Sequence, residues 1–333
     1  MSETITRSKY GSVKLPKLEE GKEYKIGVRA FSKKDLVDMP VDVLRAVLRE
    51  RTHHTVEVYI WDAANGVPPS DWLGPPPAQL GDETKPLLAA WVERGLPIKN
   101  LPDVEYAVDM LWLSDEINAG RTPPIDSKRP EPFSHDEMKT VEKLIKERRS
   151  IRRFKNKDVE DWKIMRILEA GVWAPVGCNT QAQRFLVIDD MAGLKLLKGD
   201  IPLHKWPNSA KMIVVCQDAR VYNQLGLDKF VPQNMYMDAA TCADHMLLMA
   251  HALGLGGCWL THAPETQSHI RKMYGLPDYI IPQLRLLIGY AEDAPIKSQK
   301  MPVQDPIQSC ILRYRTGINR SKYPGVAEKL QKQ

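Results

Sequence analysis

The chain has 333 residues, of which 43% are hydrophobic, 27% charged and 7% aromatic. That balance suits one large or two ordinary globular domains and excludes wholesale disorder, collagen and a small disulfide-stapled scaffold. The formal charge of +5 is unevenly carried: residues 1–134 hold 18 Lys and Arg against 21 Asp and Glu, and residues 135–333 hold 29 against 21.

The opening segment lacks the apolar core of a secretory signal. The longest apolar-leaning run, Met246–Leu260, is too short for a membrane span. The chain therefore reads as soluble and cytoplasmic. Its five cysteines, Cys178, Cys216, Cys242, Cys258 and Cys310, are odd in number and contain no C-x-x-C pair. Free thiols in a reducing compartment are expected, rather than a disulfide framework or zinc ribbon.

In chain order, proline punctuates the first part: 14 of the 25 prolines precede residue 135, including Pro68-Pro69, Pro75-Pro76-Pro77 and Pro123-Pro124. Leu44, Val47 and Leu48 predict a helix after Pro40. Thr55–Trp61 alternates like a strand, with Val56, Val58 and Ile60 on one face. Leu87, Leu88 and Trp91 predict a helix after Asp82, and Val104, Ala107, Val108, Leu111 and Trp112 another, centred on Val104–Ser114. Residues 1–134 thus read as an ordered, Pro-jointed, mainly helical extension without repeat or catalytic motif. This helix and the Trp61–Trp72 loop are expected to cover a cleft or widen a subunit interface, because large apolar groups of this kind mark packing or binding surfaces.

A linker, Arg121–Phe133, leads to a capping box, Ser134 with Glu137. The helix it starts carries Met138, Val141, Leu144 and Ile145 as an apolar stripe. A second helix is expected from about Val159 to Gly171. Strands are expected at Arg184–Ile188, Lys211–Cys216 and Leu284–Gly289. The longest helix, Asn234 to about Leu253, is apolar around most of its circumference, which predicts burial on all sides or sharing between two subunits.

Arg148-Arg149-Ser150-Ile151-Arg152 places three guanidinium groups and a hydroxyl where the chain leaves a helix. Guanidinium forks suit phosphate or carboxylate, although cations at a helix C-terminus are also favoured by the dipole alone. The segment Ala174-Pro175-Val176-Gly177-Cys178-Asn179-Thr180-Gln181 precedes the first of the strands in this part. Together these stretches resemble the nitroreductase family of FMN-dependent oxidoreductases. Arg148–Phe154 follows its R-R-S-x-R-x-F. Ala174, Pro175, Asn179, Gln181 and Phe185 follow A-P-S-x-x-N-x-Q-P-W-x-F. Gly254–Trp259 is close to G-L-G-x-C-W, and Ile288-Gly289-Tyr290 with Pro295, Lys297, Lys300 and Pro302 is similar to I-G-Y with its basic tail. The chain departs from the pattern at Val176, Ala182, Gln183 and Lys300, where the family has Ser, Pro, Trp and usually Arg.

The resemblance implies an α+β fold for residues 135–333: a nitroreductase-like three-layer arrangement with a mixed, mostly antiparallel sheet flanked by helices, in a domain-swapped homodimer. FMN would lie at the interface. Arg148 and Ser150, with Lys300 and Lys297, would hold the phosphate, with Arg149 beside them; Arg152 would reach flavin N1 and O2. Pro175, Val176, Gly177, Asn179 and Gln181 would line the ring from the partner subunit. Leu260 and Thr261 would place a backbone N–H near N5, Lys205 would approach the pyrimidine edge, and Gln308–Tyr314 would cross onto the partner. The implied activity is ping-pong transfer from NAD(P)H through N5 to an electron-poor nitroaromatic, quinone or enone. Its alternatives are reductive dehalogenation, in which the Thr261 hydroxyl would take part, dehydrogenation, flavin breakdown, or a non-catalytic flavin-binding role.

Other candidates carry less. Cys242 and His245 share a helix face, and His53-His54 are adjacent, but neither pair has further ligands at metal spacing, so no metal site is expected. Cys258 reads as a small core residue. No G-x-G-x-x-G or P-loop occurs. The basic residues are not interleaved with aromatics as a nucleic-acid surface would need.

Overall fold

A computed structural model describes residues 4–68, 70, 79–122, 124–125, 130–189, 210–261 and 263–300. By packing, the chain divides into two compact units, residues 1–294 and 295–333. The described part of the second, residues 295–300, has no regular secondary structure.

The first unit opens with two antiparallel hairpins that the sequence reading did not anticipate: β1 (Thr4–Arg7) with β2 (Ser12–Leu15), and β3 (Glu23–Ile26) with β4 (Arg29–Ser32). Their apolar residues alternate, so that Val13, Leu15, Tyr24 and Ile26 are buried. β3 and β4 are joined by two residues, with Gly27 at φ +59° in the first position, where this tight turn favours glycine. Ser32 then caps α1 (Lys33–Asp38) reciprocally with Asp35.

The expected helices follow as α2 (Val41–Thr52), α4 (Thr84–Glu93) and α5 (Pro102–Asn118). The expected strand at Thr55–Trp61 is instead helical: α2 runs through a π turn, His53–Glu57, into α3 (Val58–Ala64). Val56 and Ile60 are buried and four apart, while Val58 is only half-buried. Positions 56 and 60 satisfy both a two-residue and a helical period, and packing against α5 selects the helix. The core of this part takes in Ala182, Val221, Tyr222 and Leu225 from beyond residue 134. Trp112 stacks on Tyr10 at 5.4 Å within the same part, and Trp61 is partly exposed; Trp72 lies outside the described residues.

The Ser134–Glu137 capping box forms as expected at the start of α6 (His135–Glu147), and α7 spans Asp161–Val172. A four-stranded antiparallel sheet has the order β5-β6-β8-β7, from β5 (Gln183–Ile188), β6 (Lys211–Asp218), β7 (Gly256–Leu260) and β8 (Ile280–Gly289). β7 was not anticipated, because its glycines read as a helix stop. The two-residue period of β6 splits the core: Ile213 and Val215 face the cluster with α7 and α10 (Asn234–Ala252). Met212, Val214 and Cys216 face Ile151, Phe154 and Ile270. Two short helices, α8 (Ala219–Leu225) and α9 (Leu227–Phe230), precede α10, and α11 (Pro264–Met273) separates β7 from β8.

Two packing expectations need correction for the single chain. α10 buries one face, including Asp238, Cys242, Met246 and Leu247, but exposes Tyr236 and Met237. α6 buries none of its residues, leaving Met138, Val141 and Ile145 exposed. Of its stripe only Leu144 is half-buried, where α6 lies against α10. No described helix is long and apolar enough to cross a membrane.

Candidate functional site

Backbone pairing brings the first, third and fourth motif stretches together. The chain leaving α6 runs beside β7: Ser150 bridges Gly257 in parallel, and the Ile151 N–H donates to the Gly257 carbonyl at 2.9 Å. Further on, Phe154 bridges Ala291, and the Lys155 N–H donates to the Tyr290 carbonyl at 2.8 Å. Two motif glycines permit this approach. A Cβ on Gly256 would stand 2.5 Å from Ile151 Cγ1, and one on Gly289 2.7 Å from Phe154 Cδ1. Gly256→Ala should therefore cost about 1–3 kcal/mol by overpacking and displace the basic segment, measurable as a lower urea midpoint with unchanged m-value.

Within that segment Arg148 and Ser150 are half-buried and Arg152 is exposed. Arg149 turns back: its Nη1 donates to the Lys146 and Arg148 carbonyls at 3.0 and 2.9 Å, completing the end of α6. Cys258 is buried, as expected. Burial raises its thiol pKa, while the charges of Arg152 and Arg148 pull the other way, so both guanidinium groups act on the start of β7. Leu260 ends β7 opposite Arg285, and the exposed Thr261 follows. Arg285 is buried, and its Nη2 donates to the Thr261 carbonyl at 3.4 Å. Sequence reasoning missed this arginine, because an isolated cation in an apolar strand carries no motif.

The second motif stretch lies before β5, across the sheet from β7. Cys178, Asn179 and Gln181 have φ of +55°, +49° and +46°. Three non-glycine residues in the left-handed region so close together mark a turn held by its surroundings. Asp238 Oδ1 accepts from the Gly177 N–H at 2.7 Å, and Asp238 Oδ2 from the Tyr222 hydroxyl at 2.5 Å. Burial raises the Asp238 pKa against both bonds. The Thr241 hydroxyl donates to the Pro175 carbonyl at 2.8 Å, and Gln181 Nε2 to Asn179 Oδ1 at 2.9 Å. Arg49 from α2 donates to the Thr180 carbonyl at 3.2 Å.

Residues of the first 134 therefore border this turn directly. A cleft of about 740 Å³ is lined by Arg45, Arg49 and Trp91 from one side and by Gln181, Gln183 and Arg184 from the other. Nearby, Cys178 Sγ, a His54 ring nitrogen and a Glu50 carboxylate oxygen all lie within 4.8 Å of one another. The sequence reading missed this cluster. The i, i+4 spacing of Glu50 and His54 is its one local signal, and the strand expectation at Thr55–Trp61 hid it.

Lys205 and Gln308–Tyr314 lie outside the described residues, and Lys297 and Lys300 are exposed in the second unit. Cys242 is buried, and His245 Nδ1 lies 3.2 Å from the Thr241 carbonyl oxygen.

The chain matches the model of the Nitroreductase family over residues 145–201 and 201–290. A protein of Archaeoglobus fulgidus named "Putative NADH dehydrogenase/NAD(P)H nitroreductase" is 32% identical over 160 residues, 47% of this chain and 88% of the relative. A protein of Bacillus subtilis named "FMN reductase (NADPH)" is 24% identical over half of this chain and 71% of its own length. Among solved structures, a Bacteroides thetaiotaomicron protein with the same name as the Archaeoglobus relative is 30% identical, covers 49% of this chain and 93% of its own, and has a TM-score of 0.43.

Proposed function

Because the chain belongs to the nitroreductase family, we propose that it is an FMN-dependent NAD(P)H oxidoreductase acting as a homodimer, with an electron-poor nitroaromatic, quinone or enone as acceptor. The observation that carries the reading is the division of the family's flavin set. Arg148, Ser150, Arg152, Leu260 and Thr261 stand at the β7 side of the sheet, whereas Pro175–Gln181 precede β5 at the other edge. Three inter-strand steps of about 4.8 Å put the two groups too far apart to grip one ring. Two copies, each offering one edge to the other, would complete two sites. The exposed apolar residues of α6 and α10 supply surface for such an interface.

The residues at the β7 side fit the cofactor chemically. A phosphate dianion suits the guanidinium of Arg148 and the hydroxyl of Ser150. Arg152 would hold positive charge against the pyrimidine edge, and Leu260 and Thr261 a backbone donor near N5. When bound, FMN supplies the hydride acceptance and release at N5. The chain contributes binding, orientation and charge, with Arg285 fixing the Thr261 carbonyl. Arg149 is assigned chiefly to closing α6, since its Nη1 already serves two carbonyls there. The first 134 residues would shape the acceptor side through the cleft that meets Gln181, Gln183 and Arg184.

Purified protein should be yellow, release FMN on heating, and bleach anaerobically with NADH or NADPH. Colour should return on adding a nitroaromatic, quinone or enone. Colourless protein that cannot take up FMN would overturn the assignment; bound FMN that neither nicotinamide bleaches would overturn the donor.

A further inference from the structure

Three side chains from two distant stretches converge at the second motif: Cys178 Sγ, a His54 ring nitrogen and a Glu50 carboxylate oxygen all lie within 4.8 Å of one another. His54 Nδ1 is 3.0 Å from Glu50 Oε1. Tetrahedral zinc, with bonds of about 2.0–2.3 Å to oxygen, nitrogen and sulfur, sets its ligand atoms about 3.3–3.6 Å apart, so small side-chain rotations close this set around one ion. We propose that Glu50, His54 and Cys178 form a zinc site that pins the motif turn to α2 and the π turn after it.

The donor set selects the ion. A thiol and an imidazole exclude magnesium and calcium, which take oxygen ligands, whereas one sulfur, one nitrogen and one oxygen suit zinc. Glu50 is fully buried, and Arg51 donates to both of its oxygens, from Nε to Oε2 and from Nη2 to Oε1. A carboxylate has about four lone-pair sites. Arg51 uses two, which leaves Oε1 room for an ion on the side that His54 faces. Arg51 thus orients the carboxylate from behind, as outer partners of metal ligands do, and reaches on to Glu83 at 3.1 Å. The charges of the ion and of Arg51 would be balanced by the Cys178 thiolate, Glu50 and Glu83.

The competing arrangement holds no metal. There Cys178 and then Glu50 push the His54 imidazole up to about 10, so that it stays a cation beside the carboxylate. Zinc must displace that proton and the thiol proton, and both pass to solvent. Access and local geometry favour the ion. His54 and Cys178 are half-exposed, whereas Cys216, Cys242 and Cys258 are buried, so an ion can enter and water can fill the fourth position. The π turn His53–Glu57 and the φ of +55° at Cys178 are local irregularities of a kind that recurs at functional sites, and here two of them meet. Among the described residues this is the one place where three such ligand atoms converge. All three lie in one chain, so the site does not depend on the flavin assignment.

The test uses the untagged full chain, stripped with a chelator, reloaded with zinc or cobalt(II), and freed of loose ion by gel filtration. One ion per chain should remain by elemental analysis. Cobalt should give the intense visible bands of a tetrahedral site and a thiolate charge-transfer band in the near ultraviolet. Cys178→Ser should abolish the charge-transfer band. His54→Gln should weaken zinc binding by about a hundredfold or more, since loss of an outer partner alone costs about 10–100-fold. Both positions are half-exposed, so these variants give the answer even if one at buried Glu50 fails to fold. Zinc should also raise the Tm of the wild type but not that of Cys178→Ser. No retained ion, a retained ion without thiolate charge transfer, or zinc binding unchanged in both variants would overturn the proposal.

Discussion

Asp103→Ala is expected to lower the unfolding free energy by about 2–3 kcal/mol, less than the roughly 3–5 kcal/mol of a fully buried pair because the Arg45–Asp103–Arg49 cluster is only partly buried. Asp103, near the start of α5, accepts from Arg45 Nε at 2.8 Å and Nη2 at 2.6 Å, and from Arg49 Nη1 at 2.8 Å. Arg49 is largely buried, and burial lowers its pKa against the pull of Asp103, so without the carboxylate its charge would be left uncompensated. The same guanidinium holds the Thr180 carbonyl, so the variant should also loosen the turn that carries Cys178 and Gln181.

The pH dependence follows from the carboxylate. Burial raises its pKa, but Arg45 and Arg49 outweigh burial and hold it down at about 2. A depressed pKa means that the stabilisation is present above the unfolded value near 3.9 and is lost as pH falls through about 2. At 1.36 kcal/mol per unit this is at most about 2 kcal/mol, and solvent screening of the partly exposed pair reduces it. Urea titrations at pH 7 and pH 3 should show the wild type losing stability on acidification, with a shallower loss in Asp103→Ala. A change below about 0.5 kcal/mol at pH 7, within the range of ordinary surface substitutions, would show that the cluster is not structural.

Arg152→Ala is expected to weaken FMN binding and slow anaerobic bleaching by NAD(P)H on the order of a hundredfold, as losing one preorganised electrostatic contact at a reacting centre does. Its guanidinium is exposed and reaches the Ser150 carbonyl only at the long distance of 3.5 Å, which leaves it able to meet an anionic edge. Arg149→Ala is the control. Its Nη1 already serves two carbonyls at the end of α6, so it should alter bleaching only a few-fold. Stopped-flow traces with equal effects for the two variants would remove the distinction drawn between these adjacent arginines.

Much of the second part was legible because its signals are local. Ser134 and Glu137 are three apart and meet across one helical turn. The alternating apolar residues of β6 face two layers as their two-residue period requires. The motif stretches follow the family's pattern in order. Short elements of the first part were not legible in the same way. β1 to β4 have four residues each, too few for a period to stand out. Residues 55–61 carry a pattern that fits both strand and helix, and only burial of Val56 and Ile60 beside α5 decides it.

The sequence by itself determined the family and the start of α6, because each rests on side chains a few positions apart. Only the tertiary structure decided which motif stretches share an edge. Sheet order depends on pairing between distant strands, and it set the basic segment beside β7 and the second motif before β5. Long-range packing likewise made the acidic, Pro-jointed first part a neighbour of the motif turn rather than a separate appendage. It brought Glu50 and His54 to Cys178, which no spacing along the chain records.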